Sequence, residues 1–157
     1  MRGPLKARAR LVAPLAVAAA VTLAGCGNSS RSVGVSSSVF HLKVGDCLVP
    51  PSTVQAELAS IKVVACHEPH TQEVFALVQD SGAGDNYPGD TALRTFADGN
   101  CLQAFAGYVG VDYRYSQLFY TYLLPSVRSW AAKDRTIVCV VTTTGQQLDR
   151  SVKGSKR

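Results

Sequence analysis

The sequence predicts a small α+β domain, in which a mostly antiparallel sheet of four or five strands carries one long amphipathic helix packed on a face, pinned by two disulfides. Three observations lead there. Short β-prone runs recur between Val39 and Thr142, punctuated by Gly, Pro and Asp. A single segment, about Asp90 to Tyr108, spaces its apolar residues by three and four. Once Cys26 near the N-terminus is set aside, Cys47, Cys66, Cys101 and Cys139 remain, an even set.

Gly27 to Ser38 is rich in Gly and Ser, has little to bury, and reads as a flexible tether. Val39-Phe40-His41-Leu42-Lys43-Val44 is β-prone, and Gly45-Asp46 turns the chain before Cys47. Pro50-Pro51 interrupts any element. Ile61 to Cys66 and Glu73 to Val78 read as strands on either side of Pro69, and Gly82 to Gly89 is a loop. The helix has Leu93, Phe96, Ala97, Cys101, Ala104, Phe105 and Tyr108 on its stripe, with Pro88 and Asp90 at its start and Gly110 at its stop. Gly99 within it costs about 1 kcal/mol relative to alanine. Leu118 to Leu124 is an aromatic strand ended by Pro125, and Ser126 to Ala132 is a helical turn carrying Trp130. Arg135 to Thr142 is a final strand with Ile137, Cys139 and Val141 on one face. Four cysteines allow three pairings. Cys47–Cys66 and Cys101–Cys139 are favoured because each joins neighbouring elements of this scheme. Loops of that size stabilise by roughly 3 and 4 kcal/mol at most on the loop-entropy view.

The first 25 residues read as an export signal. Arg2, Lys6, Arg8 and Arg10 precede an almost wholly Leu, Val and Ala run from Leu11 to Ala24. That run of about 14 residues is short for roughly 30 Å of hydrocarbon and suits a signal-peptide core. Leu23-Ala24-Gly25-Cys26 resembles the lipobox of bacterial lipoproteins. The resemblance implies a thioether to diacylglycerol at Cys26, further acylation of the new amino group, and a protein anchored to the extracytoplasmic face of the cell membrane without spanning it. An ordinary signal peptide with a chance cysteine and an uncleaved anchor are the weaker alternatives. The expected organisation is a signal at 1–25, a lipidated cysteine and tether at 26–38, and a domain at 39–157 ending in a basic tail.

The formal charge of +5 misleads, because four of the 16 basic residues sit in the signal, leaving 12 against 11 acidic. Arg150, Lys153, Lys156 and Arg157 all lie in the last eight residues and are expected in a solvated, frayed terminus. No basic stripe interleaved with aromatics is present, so no nucleic-acid partner is expected.

The densest polar cluster is Cys66-His67-Glu68-Pro69-His70 followed by Glu73. A metal-assisted hydrolase would use His67, His70 and Glu73, with Cys66 as a further ligand. Against it, only one Cys-x₃-His arm exists, Pro69 removes the histidines from a shared helical face, and Cys66 is wanted by a disulfide. A strand-end turn with hydrogen-bonded histidines is the preferred reading. A free thiol nucleophile conflicts with the even cysteine set, and neither a Gly-x-Ser-x-Gly nor a phosphate-binding glycine loop occurs. No catalytic residue, metal or cofactor is therefore expected. The aromatics from Tyr108 to Trp130 are read as core and sheet surface ahead of a binding face.

The order of motifs resembles the actinobacterial septum-formation domain family. Val39-Phe40-x-Leu42-x-Val44-Gly45-Asp46-Cys47 opens it, and Val64-x-Cys66-x-x-Pro69-His70-x-x-Glu73-Val74-Phe75 follows. The tyrosine-rich strand, Pro125-x-x-x-Ser129-Trp130 and Asp134-Arg135-Thr136-x-x-Cys139 complete a pattern spanning about residues 39 to 155. High Ala, Val, Gly and Arg usage agrees with a GC-rich actinobacterium. The resemblance implies a link to septation or envelope growth and assigns no reaction. What carries over is the four cysteines, Pro69, His70, Glu73, Trp130 and Arg135. Of these, His70, Glu73, Trp130 and Arg135 are the candidate partner contacts. The expected function is a non-catalytic envelope module binding a division protein or wall polymer, with a small-ligand or lipid carrier as an alternative needing an internal cavity. His70, read as a surface residue, is expected to tolerate substitution within about 1 kcal/mol.

Overall fold

The computed structural model describes residues 34–157 except 54, 56 and 83. Cys26, the signal and the tether up to residue 33 lie outside the described residues. Within them, the strands are β1 (Val35–Ser38), β2 (Cys47–Val49), β3 (Ser60–Val64), β4 (Gln72–Gln79), β5 (Phe119–Leu123) and β6 (Thr136–Thr142). Helix α1 spans Asp90–Val109 between β4 and β5, and α2 spans Val127–Ala131 between β5 and β6. The strands form one sheet in the order β1-β3-β2-β4-β6-β5, with every pair antiparallel. The expected α+β architecture is present.

Strand β6 shows why the sheet has two covered faces. Its Ile137, Cys139 and Val141 join Phe75 of β4 and Ala97, Cys101 and Phe105 of α1 in one core. Val138 and Val140 point the other way, into a second core with Leu42, Leu48, Ile61 and Val74. Period-two alternation therefore feeds both layers from one run of β-branched residues. A register shift at Phe75, between Val74 and Ala76, turns that ring toward α1. Both disulfides are present: Cys47–Cys66 and Cys101–Cys139, the latter tying α1 to β6.

Three expectations need correction. The strand expected over residues 39–44 lies earlier: Val35–Ser38, assigned to the tether, pairs with β3, and Val39–His41 is a 3₁₀ turn. The Ser38 hydroxyl caps that turn by accepting the Phe40 N–H, and Leu42 then enters the second core. Cys47–Val49, not anticipated as a strand, fills the gap between β3 and β4. The basic C-terminal tail is not frayed. Gly110 ends α1 in the left-handed region, and the Tyr108 and Val109 carbonyls at the helix end accept the Gly154 and Lys156 N–H groups. Val152 is fully buried there.

Candidate functional site

Two places in the fold concentrate polar side chains. The first is interior. Glu73, on β4, is fully buried, and its Oε1 accepts the Tyr108 hydroxyl at 2.5 Å and the Ser151 hydroxyl at 2.6 Å. Its Oε2 accepts the Val152 N–H at 2.8 Å. These three donors explain how a carboxylate is tolerated in the core. They also bind the C-terminal tail to β4 and α1. Burial, and then the bond to Glu73, raise the Tyr108 phenol well above the ordinary tyrosine value.

His70 lies beside this group, 1% exposed, and its backbone forms a two-way bridge with Leu148. Its Nδ1 is 2.7 Å from the Glu68 carbonyl oxygen, so this nitrogen donates, and Nε2 has no hydrogen-bond partner among the described residues. His67 turns out to solvent toward Glu68. The trio His67, His70 and Glu73 is therefore not brought together. Pro69 lies between the histidines, and one ring faces solvent while the other faces the core.

The second place is an open cleft of about 500 Å³ on the side where β5, α2 and the N-terminal end of α1 meet the 3₁₀ turn and the segment around Glu57. Its lining includes Phe40, Glu57, Tyr87, Arg94, Tyr122 and Ser126. Ser126 caps α2 in a reciprocal pair with Ser129 and also donates to Glu57 at 2.6 Å, while the Arg128 guanidinium pairs with the same carboxylate. The Ser126 bond first, with the Arg128 charge, holds Glu57 below the usual carboxylate value. Tyr87 donates to Asp90, and burial foremost, with that bond, pushes its phenol up to about 12. A smaller hollow continues the cleft along Val39, Leu77, Leu123 and Val138, with Gln79, Asp134 and Thr136 also on its walls.

The four residues expected to meet a partner do not form an exposed face. His70, Glu73 and Trp130 are buried, and the Arg135 side chain is 14% exposed. Trp130 is held under the Arg135 guanidinium, 3.8 Å from its ring, and meets Tyr87 edge-on at 5.8 Å. Trp130 and Arg135 thus support a cleft-lining ring from behind. Of the aromatic segment, Tyr113 and Tyr120 are partly buried and pack edge to face against each other and against the core rings Phe105 and Phe75 respectively, in keeping with the core reading. Tyr122 lines the cleft, while Tyr115 and Phe119 stay exposed. The cleft residues Arg94, Tyr87 and Glu57 escaped sequence reasoning. They come from three segments with no shared motif, and only the fold brings them together.

No helix among the described residues is long and apolar enough to cross a membrane. The chain matches the family model for septum formation across residues 44–156. No curated protein and no solved structure matches it.

Proposed function

The chain belongs to the septum-formation family, and from that premise we propose that it is a non-catalytic interaction module of the cell envelope, serving division or wall assembly. It is held to the outer face of the membrane by lipid on Cys26. The cleft takes the partner, a division protein or a wall polymer. The observation that carries this reading is the make-up of the cleft. Two tyrosines, an arginine and an exposed Phe40 surround about 500 Å³ of open space, on walls fixed by the α2 cap, the Glu57 clamp and the Trp130–Arg135 stack. Amphipathic rings and arginine on a rigid support suit recognition. The three donors to Glu73 lie away from this cleft and tie the C-terminal tail to β4 and α1.

The test uses the full-length protein in dividing cells, with a photo-crosslinking side chain at Tyr122 and, as a control, at Arg150 on the tail. The reading predicts septal enrichment and a crosslinked neighbour from position 122 that is absent from position 150. Diffuse distribution with identical products from both positions contradicts it. The volume also suits a small ligand. An occupant released from the purified protein on denaturation, with no crosslinked macromolecule, replaces the module by a carrier.

A further inference from the structure

The disulfide Cys47–Cys66 covers a set of metal ligands. Cys47 Sγ, a ring nitrogen of His70 and a carboxylate oxygen of Glu73 lie within 4.8 Å of one another, and all three residues are buried. Tetrahedral zinc with bonds of 2.0–2.3 Å places its ligands about 3.5 Å apart, so a modest contraction suffices. Since His70 Nδ1 donates to the Glu68 carbonyl, the lone pair left for a metal is on Nε2, the buried nitrogen without a partner among the described residues. A carbonyl bond on the far nitrogen is the usual way a ligating imidazole is oriented. Glu73 uses Oε1 for two hydroxyls, whereas among the described residues Oε2 accepts the Val152 N–H alone and keeps a lone pair. Cys66 Sγ is bonded to Cys47 Sγ but is not among the atoms within 4.8 Å of one another, so serving as a fourth ligand requires its side chain to turn inward once the bond opens.

We infer that this group is a redox-gated zinc site: closed while Cys47 and Cys66 are joined, and formed by Cys47, Cys66, His70 and Glu73 once a dithiol reduces them. A thiolate of the reductant attacks Cys66 Sγ, which is half-buried where Cys47 is fully enclosed. The Sγ–Sγ bond breaks and Cys47 leaves as thiolate. The reductant's second thiol then displaces Cys66, so the reductant becomes a disulfide while the protein gains two electrons and two protons. Zinc binding releases both thiol protons to solvent. Cys101–Cys139 is enclosed at both sulfurs and outlasts this exchange.

The experiment uses the purified full-length chain with Cys26→Ser, so that no further thiol competes. The protein is treated with a water-soluble phosphine reductant, and thiols, near-ultraviolet circular dichroism, zinc content and the cobalt(II) spectrum are measured. Expected are two titratable thiols, a retained fold, one zinc per chain, and a thiolate-to-cobalt charge-transfer band absent from the oxidised protein. His70→Gln loses the metal and His67→Gln keeps it. Cys66→Ser, which frees Cys47 without reductant, also shows the band, and this variant decides the matter if His70→Gln fails to fold. Reduced, folded protein that takes up no metal overturns the proposal. So does uptake unchanged by His70→Gln, or unfolding of the reduced protein in the presence of zinc. None of these readouts depends on the cleft or on a partner.

Discussion

At the scale of single residues, the interior carboxylate is the most demanding feature of the molecule. Glu73→Ala strips the partner from a buried tyrosine hydroxyl and a buried backbone N–H, and each orphaned group costs about 1–3 kcal/mol. A loss of about 3–5 kcal/mol in denaturant unfolding is expected. His70 follows the same logic. Its burial and its bond to the Glu68 carbonyl replace the tolerance expected of a surface residue, and His70→Ala is expected to lose about 2–3 kcal/mol. A change under 1 kcal/mol would mean that its enclosure is incidental. The tyrosines set the alkaline limit. An unfolded tyrosine ionises near pH 10, whereas Tyr87 holds its proton to about 12 and Tyr108 is raised as well. The unfolded chain therefore releases protons first as pH rises, and the contribution of Tyr87 to stability, complete below pH 10, is lost between about 10 and 12, while that of Tyr108 goes on falling at higher pH. Tyr87→Phe is expected to flatten that fall in unfolding curves taken across this window.

At the scale of elements, the most exposed dependence is between α1 and the sheet. Replacing Cys101 and Cys139 together by alanine removes a cross-link of sequence separation 38 between them. A loss of up to about 4 kcal/mol in thermal or denaturant unfolding is expected on the loop-entropy view. Gly110→Ala forces a left-handed φ of 87° on a residue with a Cβ, and about 1 kcal/mol is lost. The elements most legible in the sequence were those with a strong period. The stripe of α1, the alternation on β6 and the pairing of helix and strand cysteines could all be read directly. Strand β1 was hidden because Val35-Ser36-Ser37-Ser38 has the composition of a linker, and pairing with β3 overrides it. The tail was hidden for a similar reason. Val152 is its one strongly apolar side chain, and its order comes from satisfying Glu73 and the carbonyls that end α1. The candidate site was legible only in its supports: Trp130 and Arg135 were singled out, but the ring they hold, Tyr87, belongs to a loop read as a spacer.

At the scale of the whole molecule, the family links the chain to septum formation, and the fold offers a cleft between elements distant in sequence. The proposal joins these through export: one sulfur carries lipid and four close in pairs, so that the cleft stands outside the membrane on a short tether. Cys26→Ser is expected to move the protein from the membrane fraction to the soluble or unprocessed pool, leaving unfolding of the domain unchanged within about 0.5 kcal/mol. The most direct test is the intact mass of the protein isolated from its native membrane under conditions that preserve disulfides. The proposal predicts a chain that begins at Cys26, carries diacylglycerol with or without a further acyl group, and has two closed disulfides. A chain that starts at Met1 without lipid, or one with four free thiols, contradicts it.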